Sequence, residues 1–154
     1  MTGRNGAARD GTAKETGLLK EWPPGDPKLL WKTTDLGNGY SSFKVGDHLY
    51  GTTGSAMQCL KFTTGELLWE DRALGPASMC YADNRLYLHG ENGDVALVEP
   101  SSEGYRPKGR FTPPDQPPHT RGQMEKSWAY PVVANGRLCI RGHAALWCYD
   151  GRAK

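Results

Sequence analysis

Gly46-Asp47-His48-Leu49-Tyr50, Met57-Gln58-Cys59-Leu60-Lys61 and Thr63-Thr64-Gly65-Glu66-Leu67-Leu68-Trp69 read as short strands parted by tight turns, and the unit returns twice. Its second copy is Asp83-Asn84-Arg85-Leu86-Tyr87 followed by Val95-Ala96-Leu97-Val98-Glu99; its third is Asn135-Gly136-Arg137-Leu138-Cys139-Ile140 followed by Leu146-Trp147-Cys148-Tyr149-Asp150. Aligned on Leu49, Leu86 and Leu138, the copies are offset by 37 and 52 residues, so the third carries a 15-residue excess. Short runs bounded by Gly, Asp and Asn are the mark of antiparallel hairpins. A period of roughly 40 residues holding four such strands is the size of one propeller blade. The expected fold is therefore all-β: an incomplete β-propeller of about three four-stranded antiparallel blades with an extended N-terminal segment.

Working outward from the repeat, each hairpin should set Leu49 opposite Leu60, Leu86 opposite Val98 and Leu138 opposite Tyr149. An apolar pair at the same level of every unit belongs in the layer between neighbouring sheets. Further strands are expected over 29–33, 40–45, 48–52, 56–62 and 67–70 in the first unit, and over 78–82, 85–89, 94–99 and 104–111 in the second. The third should hold strands over 128–133, 138–141 and 145–149. The proline-rich residues 112–127 have no period and form the long loop behind the 15-residue excess. Two regions follow: an extended N-terminal segment, 1–27, and the sheet-bearing region, 28–154. Within the first, residues 15–22 could form one helical turn, which Pro23 and Pro24 stop, with Leu18, Leu19 and Trp22 lying in a groove of the folded body.

Trp31 precedes Trp69 by 38 residues and follows the same Leu-Leu pair. A large flat ring once per unit suits the seams between sheets, where burying it is worth roughly 4–6 kcal/mol as an upper bound. Gly65 supplies the positive backbone dihedral that the turn before Leu67 demands. The residues expected to carry the repeat are Trp31, Gly65, Trp69, Leu49, Leu86, Leu138, Trp128 and Trp147.

Nineteen basic residues against 17 acidic give no global attraction to nucleic acid or an anionic membrane. Twenty Gly and 11 Pro suit many turns and argue against long helices. No apolar run is long enough to span a membrane, and residues 1–10 lack the apolar stretch of a secretory signal, so the chain as written is expected in the cytoplasm. Cys59, Cys80, Cys139 and Cys148 never form C-x-x-C pairs and read as small core hydrophobes rather than zinc ligands. Cys139 and Cys148 alone should face each other across a hairpin, as a disulfide or, more commonly for such residues, as free thiols.

His48, His89, His119 and His143 sit at expected strand ends or loops with no repeated carboxylate or Ser beside them, and read as solvated turn residues rather than metal ligands or a catalytic base. Asp47, Asp83, Asp94 and Asp150 all fall at turns, where Asp bonds local amides. Arg106, Lys108 and Arg110 alternate along one strand and put three positive charges on one face, a solvated outer surface in preference to a phosphate-binding one.

Glu15-Thr16-Gly17-Leu18-Leu19-Lys20-Glu21-Trp22 followed by Lys28-Leu29-Leu30-Trp31 resembles the entry segment of the PQQ-binding-like β-propeller repeat proteins of planctomycete-type bacteria, a quinoprotein-like and outer-membrane-assembly-propeller-like group. Thr64-Gly65-Glu66-Leu67-Leu68-Trp69 matches that repeat's Thr-Gly-Lys/Glu-x-x-Trp core, and residues 127–150 resemble the closing blade. Family members close rings of about eight blades; here the first and last parts are joined with middle blades missing. The resemblance implies a non-catalytic binding or scaffolding module with a protein partner or self-association through exposed blade faces, no cofactor, and a periplasmic or cell-envelope location. Its alternatives are a PQQ- and calcium-dependent dehydrogenase of the polyvinyl-alcohol type, and a truncated gene remnant without activity. True quinoprotein dehydrogenases often carry an adjacent Cys-Cys pair, which this chain lacks.

Overall fold

The computed structural model describes residues 15–34, 36–37, 39–116, 129–142 and 145–153. Every regular element among them is a strand. The first sheet runs β1 (Gly39–Val45), β2 (His48–Thr53), β3 (Met57–Lys61), β4 (Leu67–Asp71) in sequence order, and the second runs β5 (Ala77–Ala82), β6 (Arg85–Gly90), β7 (Val95–Glu99), β8 (Arg106–Phe111). The third holds three strands, β9 (Val132–Ala134), β10 (Arg137–Arg141) and β11 (Leu146–Asp150). All pairings are antiparallel between neighbours in sequence, the up-and-down order that short turns enforce.

Turn chemistry fixes the register. Asp83 and Asn84 both take positive φ between β5 and β6, as do Asn135 and Gly136 between β9 and β10. That is the two-residue turn whose twist matches its flanking strands. Leu49 pairs with Leu60, Leu86 with Val98 and Leu138 with Tyr149, as the repeat requires. Even the irregularities recur: the third-to-fourth-strand register slips between Cys59 and Leu60, and again 38 residues on between Leu97 and Val98.

The sheets pack through shared cores. Phe43, Tyr50, Met57 and Cys59 of the first meet Met79, Leu86, Leu88, Ala96 and Val98 of the second. On the second sheet's other side, Val95 and Tyr87 meet Leu138, Ile140, Trp147 and Tyr149 of the third. Strand alternation explains how one sheet serves two seams, since successive side chains point to opposite faces. The first strands β1, β5 and β9 neighbour one another in turn along one rim.

The third sheet's three described strands are the three expected of its unit, the first of them at Val132–Ala134. Two expectations need correction. Residues 29–33 hold the composition of a strand but pair with none, because a strand exists only where a partner takes its amides and carbonyls. Residues 15–22 form no helical turn, and Trp22 is 74% exposed rather than lodged in a groove, with Leu18 and Leu19 also open to solvent. The segment has too few apolar residues to repay ordering against the body.

Candidate functional site

Two kinds of hydrogen bond occur twice along the stack, one toward each end of the strands. Near the rim of first strands, Thr52 Oγ1 donates to the Ala77 carbonyl at 2.5 Å, tying β2 to the start of the second sheet. His89 holds the same position one unit later, and its Nδ1 lies 3.1 Å from the Ala129 carbonyl just ahead of β9. A carbonyl only accepts, so Nδ1 carries the proton. Nε2 is buried and meets no partner among the described residues, and burial holds the imidazole below its ordinary pKa. The expectation of a solvated turn histidine is therefore wrong for His89, which is fully buried within β6. His48 is half-buried in β2, while His119 and His143 lie outside the described residues.

At the outer end, Trp69 of β4 donates its indole N–H to the Ser101 carbonyl at 2.9 Å, in the turn after β7. Trp31 does the same to Phe62, 3.0 Å away in the turn after β3. Gly65, at φ +73°, completes that seat: a Cβ there would stand 2.4 Å from the Trp31 ring. Trp69 also packs on Tyr50, with ring centroids 6.3 Å apart. The register equates Trp69 with Gly109 in the second sheet, where a Cβ would meet nothing within 4 Å. There the outer seam is closed instead by Phe111 edge-on to Tyr149, centroids 4.9 Å apart. Trp147, on β11, packs into the core shared by the second and third sheets, and Trp128 lies outside the described residues.

Leu86 and Leu138 are buried on the face each sheet turns to its predecessor. Leu49 is only half-buried on the equivalent face of the first sheet. The third sheet's far face carries Val132 (55% exposed), Cys139, Leu146 (67% exposed) and Cys148. Cys139 and Cys148 are register partners with Sγ atoms 3.4 Å apart and remain free thiols. The contact with Cys148 pushes the Cys139 thiol up, with burial adding to it.

The cationic strand β8 is charge-compensated. Lys108 bonds Glu99 at 2.7 Å, Arg106 bonds Glu99 and Glu103, and Arg110 bonds Asp94. The Lys108 bond holds the Glu99 carboxyl below its usual range. Burial pushes Asp94 up, but Thr112, Arg110 and Asn92 together outweigh it and leave that carboxyl lowered.

Among the described residues, no three His, Cys, Asp or Glu side chains converge as metal ligands. Asp94 is taken by Arg110, Thr112 and Asn92, and Asp150 by Arg152. No helix is long and apolar enough to cross a membrane among the described residues.

No protein-family profile matches the chain, and no curated protein does. Solved structures do match. The chain is similar to BamB from Moraxella catarrhalis, with a TM-score of 0.55 at 14% identity over 71% of this chain. The match covers 32% of the BamB chain, so this chain spans about a third of that protein's length. At that identity the likeness speaks to fold: the three stacked sheets form part of a β-propeller, and they do not close into a ring.

Proposed function

We propose that the protein is a non-catalytic binding or scaffolding module of the PQQ-like propeller class, working in the periplasm or cell envelope through the faces its sheet stack leaves open. The observation that carries this reading is the third sheet's far face, where Val132 and Leu146 stand in solvent. Their register equivalents in the first sheet, Phe43 and Met57, are buried against a neighbouring sheet. A surface patterned like the inside of a seam is a protein-binding surface. In this reading residues 28–154 form the binding body, and Trp31, Gly65, Trp69, Leu49, Leu86, Leu138, Trp128 and Trp147 set the spacing of its sheets.

The test is association. Light scattering at micromolar concentration should show self-association or a stable complex with a protein partner, and a Val132→Lys/Leu146→Lys variant with unchanged circular dichroism should lose it. A monodisperse monomer that captures no partner overturns the reading. Dye-linked alcohol oxidation on addition of PQQ and Ca²⁺ would replace it with the dehydrogenase.

A further inference from the structure

We propose that Cys139 and Cys148 form a two-thiolate site for a soft monovalent cation, copper(I), held between β10 and β11. The site needs no partner chain and is independent of the association reading above.

The position departs from the repeat. Register sets Tyr50 opposite Cys59 in the first sheet and Tyr87 opposite Leu97 in the second, so a large ring takes part in both pairs. In the third sheet the same place holds Cys139 opposite Cys148, two small thiols. Hydrogen bonds from Gly142 to Ala145 and from Gly151 to Gly136 fix which pairs of this hairpin are bonded, and the alternation of an antiparallel ladder makes Cys139 and Cys148 a non-hydrogen-bonded pair. Side chains stand closest at such pairs, and the two Sγ atoms are 3.4 Å apart. Leu138 and Ile140, on either side of Cys139, are buried in the core shared with the second sheet, so the strand that carries the thiol is held in place.

The reach of the pair suits an ion. Metal–sulfur bonds of about 2.3 Å put two thiolates on one ion no more than about 4.6 Å apart. Facing Cβ atoms at a non-hydrogen-bonded pair stand about 4.5 Å apart, so a small turn about each χ1 opens the sulfurs to that span.

Ligand number selects the ion. No third His, Cys, Asp or Glu joins the pair among the described residues. Zinc takes four protein ligands in a structural site and three in a catalytic one, and iron–sulfur clusters take four cysteines. Copper(I) is thiophilic and is satisfied by two sulfurs in a near-linear arrangement. Binding it breaks two S–H bonds and forms two S–Cu bonds; the protons pass to water, and copper stays at +1 throughout. The loaded pair carries one negative charge. Arg137 and Arg141 lie two places before and after Cys139, so strand alternation puts both guanidinium groups on its face. Two cations beside an anionic centre favour the loaded state.

The test is a competition for copper(I), run without oxygen so that the thiols stay reduced. The full chain, titrated into a coloured copper(I)–chelator complex, should withdraw one copper per chain. Cys139→Ser and Cys148→Ser should each lose that uptake with unchanged circular dichroism. Alkylation by iodoacetamide, mapped by peptide mass, gives a second reading on the unaltered chain: copper(I) should shield Cys139 and Cys148 together, and an equal concentration of Zn²⁺ should not. A chelator that keeps all its copper overturns the site. So do uptake that survives both substitutions, shielding that falls on Cys59 or Cys80 instead, and zinc shielding equal to that of copper. One copper shared by two chains, seen as a mass that doubles in scattering only when copper is added, also overturns it, because the two thiols would then come from different copies.

Discussion

Thr52 and His89, 37 residues apart, perform one task in successive sheets: each reaches from its second strand to a carbonyl at the entrance of the sheet that follows, Ala77 in one case and Ala129 in the other. The spans they bridge are 25 and 40 residues, and the difference is the 15-residue excess of the third unit. An insertion has lengthened the connection without moving its anchor.

Replacing Thr52 by Val keeps the shape and removes the hydroxyl, leaving the Ala77 carbonyl short of its donor in a buried setting. The cost should be about 1–2 kcal/mol, read as a lower urea midpoint with unchanged slope. Thr52→Ser, which keeps the donor, should recover most of it.

His89 predicts a pH dependence. Its folded pKa lies below the ordinary 6.5. Stability is therefore fully present above that value and falls as acid protonates the unfolded chain first, at a limiting slope of about 1.4 kcal/mol per pH unit. The loss ends once the folded imidazole also takes a proton. Denaturation midpoints between neutral and mildly acidic pH should show this decline. His89→Asn, with its amide donating to Ala129, should flatten it.

Gly65→Ala combines two penalties: a non-glycine residue at φ +73° and a methyl 2.4 Å from the Trp31 ring. The methyl should unseat Trp31, and its fluorescence should shift to the red. The backbone penalty should lower stability by about 1 kcal/mol or more.

Cys139 and Cys148 should close into an intramolecular disulfide under mild oxidant, seen by mass spectrometry as the loss of two hydrogens. Because the Cys139 pKa is raised, the thiolate that attacks is scarce at neutral pH, and the reaction should quicken as pH rises. Cys59, fully buried and with its own pKa raised by burial, should stay reduced.

Strand positions and hairpin registers were legible because the turns carry distinctive residues and each strand must hide one face; Leu49, Leu86 and Leu138 were enough to align all three sheets. What escaped the sequence depends on partners distant along the chain. Residues 29–33 read as a strand because composition does not reveal whether anything lies alongside. His89 read as solvated because its burial comes from the approach of residue 129, which no local pattern announces. A signal did exist: a residue with a hydrogen-bonding side chain stands three places after the Leu of each unit, at Thr52, His89 and Arg141. The indole seats were half visible, as the Trp spacing was plain but the accepting carbonyls of Phe62 and Ser101 belong to backbone that any residue supplies.

Gly109, standing where the first sheet has Trp69, makes the two seams mechanically unequal. The earlier one is riveted by an indole, while the later one, among the described residues, rests on an aromatic edge contact, a smaller apolar core and an imidazole. Native-state hydrogen exchange should therefore be graded, with amides of β10 and β11 surrendering their protection through a partial opening that leaves β2, β3 and β6 intact. With that pattern of exchange the third sheet would act as a hinged door on a fixed frame.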